Sequence, residues 1–269
     1  MPVSFVPLEK PSEPLELLRP FPGTRRGAWA LPTRTALRKL RPAKIRNALR
    51  RRWFERRLNA LALSPMPRLA RLGTDYGGWI VPLGVIEAGW RCYSIGAGGD
   101  VSFDLDLIRR CGAAQVRSFD AVAEFVDDAR READGTAGFS AHHAALAVAD
   151  GPLMMERSHD PNSRSVSSAP LFESRSFVEL PGRSLNSLMS ELGDEQVDLL
   201  KLDIEGAEYE VIPTLDLAAI GVKVLAMALH HCGSVGEARS LVSHLRARGF
   251  EPVACRETLR VTFVRAELL

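Results

Sequence analysis

Cysteine is scarce in this chain: Cys92, Cys111, Cys232 and Cys255 are the only four in 269 residues. None stands at the close spacing of a metal knuckle, so reduced thiols and a cytoplasmic setting are expected. No uninterrupted apolar run approaches the roughly 18 residues that a membrane span needs. The first residues lack the basic-then-apolar order of a signal peptide. A glycine is missing too. After Gly96 and Gly98 the third position of G-x-G-x-x-G falls on Val101, which weakens the case for a dinucleotide pyrophosphate. What remains is an ordinary globular composition, 46% apolar and 25% charged.

The net charge of +2 hides a division. Residues 1–71 carry 17 Lys/Arg against 4 Asp/Glu (+13), and residues 72–269 carry 18 against 29 (−11). The sequence thus divides into a basic N-terminal extension, 1–71, and a main domain, 72–269. The first 33 residues are proline-rich and read as irregular. From Thr33 to Leu63 the segment favours helix, with Ile45, Ala48, Leu49 and Trp53 on one face and arginines around much of the rest. Such an arm suits three roles: peripheral contact of residues 34–57 with an anionic membrane, phosphate contacts to nucleic acid, or packing on the acidic domain. Nucleic acid is the least favoured partner.

The stretch that organises the main domain runs from Val197 to Glu208, VDLLKLDIEGAE. It opens as a strand buried on both faces would and closes in carboxylates and a glycine. In an open parallel sheet, ligands bind beyond the carboxyl ends of the strands, which puts Asp203, Glu205 and Glu208 at the mouth of a pocket. Lys201 lies inside the strand, where an ammonium needs a carboxylate. A structural Lys–Glu pair and an acidic first helical turn would write the same letters. Lys201–Glu208, KLDIEGAE, closely resembles the signature of FkbM-type S-adenosylmethionine-dependent methyltransferases. Matching segments extend from about Tyr76 to the C-terminus. The resemblance implies a class I methyltransferase fold, S-adenosylmethionine as cofactor, and a hydroxyl of a glycan or secondary metabolite as acceptor.

Read in order, the residues give a compatible pattern. Residues 76–82 form a short strand and 90–95 a first core strand entering the small-residue loop Gly96-Ala97-Gly98-Gly99-Asp100. A helix follows, with Ser102 as N-cap and Gly112 as its stop. Strand 114–119 ends in Asp120, placed 24 residues after Gly96, near the spacing at which an acid meets ribose hydroxyls. Asp120 also reads as a simple helix cap. A further strand, 144–149, ends at Asp150, which the resemblance places near the adenine. The polar segment 157–168 suits either a lid or a plain loop. A helix spans 184–193, strand 222–229 delivers His230-His231, a helix ends at Gly249, and 252–264 reads as a hairpin. Helices alternating with strands predict a doubly wound, mostly parallel α/β sheet, and the hairpin adds an antiparallel edge.

The site expected from these readings has Asp203, His230, Lys201 and Glu205 as catalytic residues. Gly96, Ala97, Gly98, Asp100, Asp120 and Asp150 are the expected cofactor contacts. Two positions depart from the family pattern. Ser94 stands where the first core strand usually carries Asp, which turns attention to Asp100 or Asp104 for the cofactor's amino group. Ala228 stands where the fifth strand usually has Glu, and no metal site is expected. The function read from this is O-methyl transfer. A binding-only methyltransferase fold tethered by its basic arm is the alternative, and an NAD-dependent dehydrogenase a weaker third.

Overall fold

The computed structural model describes Phe54 and residues 61–113, 115–158, 166–167, 176–230, 234–255 and 259–269. The expected arm helix, apart from Phe54, lies outside the described residues, as do residues 159–165 of the polar loop. The chain divides into two units, Met1–Ile45 and Arg46–Leu269, and the described residues all belong to the second. Phe54, 2% exposed, belongs to that unit's main apolar cluster.

The central sheet is assembled around the strand that the apolar run predicts. β1 (Leu69–Leu72) and β2 (Trp79–Pro82) pair as a separate antiparallel ribbon. Then come β3 (Arg91–Ile95), α1 (Ser102–Cys111), β4 (Gln115–Asp120), α2 (Ala123–Glu132) and β5 (Phe139–His143). After β6 (Ala145–Leu146), β7 (Gly151–Arg157), β8 (Val166–Ser167) and β9 (Phe177–Arg183), the chain continues through α3 (Leu185–Leu192) and β10 (Leu199–Leu202). Short helices α4 (Glu208–Val211) and α5 (Leu217–Ile220) precede β11 (Val224–Ala228), α6 (Val235–Ala247), β12 (Phe250–Cys255) and β13 (Arg260–Arg265). The order across the seven-stranded sheet is β12-β13-β11-β10-β3-β4-β5. The last five strands of that row run parallel, and β13 is antiparallel to both β11 and β12.

Burial explains the run of Leu and Val in the middle strands. All of β10 and β11 is buried, and Leu200, Leu202, Leu225 and Met227 have no exposed surface. Each such side chain contributes about 1.5–3 kcal/mol. Helix ends follow local chemistry. The Ser184 side chain accepts from Ser187 N at the start of α3, and Gly193 closes it in the left-handed region.

Three expectations are corrected. The second strand beyond the cofactor loop is Phe139–His143, and of the alanine-rich run 144–149 only Ala145–Leu146 pairs, in a second sheet ordered β6-β9-β7-β8. The edge strand β5 is polar enough (Phe-Ser-Ala-His-His) to lack an apolar signal. The second sheet was not expected at all. Finally, α1 begins on Val101 without a side-chain cap. Ser102 Oγ instead accepts from Thr74 N at 2.9 Å, joining α1 to the β1–β2 turn.

Candidate active site

The carboxyl ends of β3, β4, β10 and β11 open on a cavity of about 500 Å³, within the usual size of a small-molecule site. One side is built by the loop after β3. Gly96 has φ +81, and a Cβ there would stand 1.9 Å from the Asp203 carbonyl oxygen, so no side chain fits. Gly98 has φ +63 with open space beside it. Its N–H donates to Asp120 Oδ2 at 2.9 Å, while Val122 N donates to Asp120 Oδ1 at 2.8 Å. Asp120 is 7% exposed, and burial pushes its carboxyl pKa up against these hydrogen bonds. The carboxylate keeps acceptor capacity for a ligand hydroxyl. Ala97, Phe125 and Ala145 add apolar wall. The set fits a nucleoside: a tight backbone approach, an acid for ribose and an apolar slot for a base.

The other side is ionic. Lys201, 5% exposed, donates to the Gly96 carbonyl. Burial lowers its pKa, with Asp203 and Asp104 opposing. His230, from the end of β11, is gripped by Glu208, which has no exposed surface. Glu208 Oε1 accepts from His230 N at 2.7 Å and lies 3.0 Å from Nδ1, and its Oε2 accepts from Gly206 N at 2.8 Å. On the cavity side, His230 Nε2 lies 3.5 Å from Asp203 Oδ1 and 3.4 Å from Glu205 Oε2. Burial opposes charge on His230, but Glu208, Glu205 and Asp203 outweigh it and raise its pKa to about 9. Burial pushes the Glu205 pKa up. Glu205 also holds φ +52, a conformation that costs a non-glycine residue of order 1–3 kcal/mol and that clusters at functional sites.

The structure therefore brings Gly96, Ala97, Gly98, Asp120, Lys201, Asp203, Glu205 and His230 to one cavity. Asp100 and Asp150 are not among its described lining residues. Asp100 accepts from Thr74 Oγ1 at 2.6 Å and Ser102 N at 3.0 Å, and these bonds overcome the effect of burial to lower its pKa. Asp150 accepts from Ser184 N at 2.7 Å at the start of α3. Asp104, weighed as a stand-in for the acid absent at Ser94, is fully buried beside Lys201 and absent from the wall; burial raises its pKa to about 6. The three carboxylates favour the charged form of the His230 imidazole. Sequence reasoning missed Arg260, Trp79 and the β1–β2 turn. Among the described residues, no group of three or more His, Cys, Asp or Glu side chains is arranged to hold a metal ion.

A parallel sheet closed by an antiparallel hairpin, with this cavity at its carboxyl edge, is the class I methyltransferase architecture. A family model described as the methyltransferase FkbM domain matches residues 99–252, more than half of the chain, and the chain belongs to that family. The crystal structure of an FkbM methyltransferase from Methylobacillus flagellatus KT is 13% identical, with TM-score 0.46, over 82% of this chain and 60% of that one. A SAM-dependent methyltransferase from Aquifex aeolicus is 12% identical, with TM-score 0.33, over 66% and 81% of the two chains. The AMB antimetabolite synthetase AmbE of Pseudomonas aeruginosa is 38% identical over 73 residues, which are 26% of this chain and 3% of the synthetase.

Proposed function

We propose that the domain transfers a methyl group from S-adenosylmethionine to a hydroxyl oxygen of a glycan or secondary metabolite. The observation that carries this reading is the meeting, in one cavity, of the Gly96–Gly98 and Asp120 cradle with the Asp203–Glu205–His230 cluster. When bound, the cofactor supplies an activated methyl on a sulfonium. Gly96, Ala97, Gly98 and Asp120 would hold its nucleoside. The acidic balance of residues 72–269 suits a cationic donor.

The chain's own contribution is orientation and proton removal. Glu208, Glu205 and Asp203 favour the charged form of His230, so we assign the role of base to a carboxylate. Asp203 Oδ1 and Glu205 Oε2 both face His230 Nε2, and burial makes Glu205 more basic than a solvated glutamate. The imidazolium keeps the pair anionic and orders it. A metabolite acceptor is in keeping with the segment shared with an antimetabolite synthetase. Ser94 and Ala228 favour a second reading, a domain that binds the cofactor without turning it over. In either case the basic segment 34–57 is proposed to make peripheral contact with anionic lipid in a cytoplasmic protein, without a nucleic-acid role.

Calorimetry with S-adenosylmethionine, its demethylated product and NAD in parallel tests the cofactor. Binding of the first two and not NAD is expected; binding of NAD alone would sink the reading. Release of the demethylated product in the presence of a panel of hydroxyl acceptors separates turnover from binding alone.

A further inference from the structure

Arg260 is the first residue of β13, and its place in the sheet sets what it can reach. Across β13 and β11 it pairs with Ala228, and across β11 and β10 Met227 pairs with Leu202. Continued one residue past the end of β10, that register sets Asp203 level with Ala228 and Arg260, and cross-strand partners share a face. The middle member is the smallest. From the two ends of this row Arg260 Nη2 meets Asp203 Oδ2 at 3.1 Å. The rest of the guanidinium is committed as well. Nη1 donates to the Tyr76 carbonyl at 2.6 Å, with Gly78 O at 3.5 Å, and the fork lies 5.0 Å over the Trp79 ring. Leu259, just before it, holds φ +58 and its carbonyl accepts from Leu229 N at 3.1 Å, which aligns the strand start with the His230 end of β11.

We propose that Arg260, admitted by the small side chain of Ala228, is a positioning residue that holds Oδ2 of Asp203, leaves Oδ1 facing His230 and the acceptor, and makes the Tyr76–Gly78 turn part of the acceptor site. This rests on the reading of Asp203 and His230 as the acceptor-facing groups. A fork matters here, since an ammonium cannot serve a carboxylate and a carbonyl of the turn from one rigid plane. Any longer side chain at 228 stands between guanidinium and carboxylate.

Among the described residues, the groups facing His230 include Glu208 from α4, Asp203 and Glu205 from the turn after β10, and, through Asp203, Arg260 from β13; Tyr209 Oη donates to its backbone carbonyl at 2.7 Å. The test is the titration of the His230 imidazole by NMR in the full-length protein, assigned with His230→Gln. In Arg260→Met, Asp203 loses one of its cations and bears more strongly on His230, so the midpoint rises by about half a unit or more. Ala228→Leu gives a rise of the same sign, and the double variant no more than the larger single shift. Arg260→Lys, which keeps the charge should the others fail to fold, recovers part of the wild-type midpoint but leaves amide signals of residues 76–78 displaced. A purely structural role predicts lower thermal stability with an unmoved midpoint, and that result, or additive shifts, overturns the proposal. The titration needs no cofactor. Loss of S-adenosylmethionine binding in the wild type would defeat the methyltransferase reading while leaving this coupling measurable.

Discussion

Replacing Glu208 by Gln tests the electrostatics of the site through stability alone. Glu208 has no exposed surface and accepts from His230 N, Gly206 N and the His230 ring. Its charge is the first of those that lift His230 to a pKa of about 9, against the ordinary 6.5. Above pH 6.5 the unfolded chain releases this proton while the folded chain keeps it. Stability therefore falls as pH rises, and the contribution is complete below 6.5 and lost through 9. The 2.5-unit gap, at 1.36 kcal/mol per unit, amounts to about 3 kcal/mol. In Glu208→Gln the shape is kept but the charge is gone. At pH 7 the variant is expected to be less stable by about 2–3 kcal/mol, with a flatter dependence on pH, so the gap between the two proteins narrows above pH 9 to the cost of the backbone hydrogen bond that the amide cannot accept. Urea unfolding at pH 6, 7.5 and 9 measures this. Parallel wild-type and variant curves over that interval would show that Glu208 does not hold His230 charged.

Asp120→Ala is expected to weaken S-adenosylmethionine binding by about 1–3 kcal/mol, the scale of a hydrogen bond lost at a buried site; calorimetry on the folded variant that returns wild-type affinity removes Asp120 from the cradle. Gly96→Ala forces a methyl onto the Asp203 carbonyl at a left-handed φ, and a stability loss of at least about 1–3 kcal/mol is expected in thermal unfolding. Replacing Arg34, Arg38, Lys39, Arg41 and Lys44 by Gln is expected to weaken salt-sensitive binding to phosphatidylserine vesicles, at about 1 kcal/mol per residue, with cofactor affinity unchanged; equal vesicle binding excludes the membrane role.

Legibility in the sequence followed burial. β10 and β11 are apolar because both faces are covered, and a carboxylate or histidine stands out at their ends. The Gly96–Gly98 loop was readable because backbone conformation there excludes side chains. The edge strand β5 and the outer face of the second sheet, where Met154 is 55% and Phe177 58% exposed, carry no such pattern. Arg260 was not legible for a different reason. Its partners come from three places distant in sequence, and the register that aligns it with Ala228 and Asp203 is a property of the assembled sheet. The charge of His230 likewise depends on Glu208, Glu205 and Asp203 arriving together.

Lys201 shows how one departure is absorbed by another. The register pairs it with Ser94 across β10 and β3, so an acid at 94 would be its direct neighbour. Serine leaves that place uncharged, and α1 instead carries Asp104 in from the covered side of the sheet. Its carboxyl is 1% exposed and Lys201 is the strongest influence holding its pKa down, while Ser94 and Ser118 approach it without reaching hydrogen-bond geometry. Two carboxylates under one ammonium would repel each other in a medium of low dielectric. Ser94 and Asp104 are thus a consistent pair. Lys201 thus has counter-charges in Asp203 beyond its own strand and Asp104 on the helix, and the ammonium holds the Gly96 carbonyl on the cavity wall.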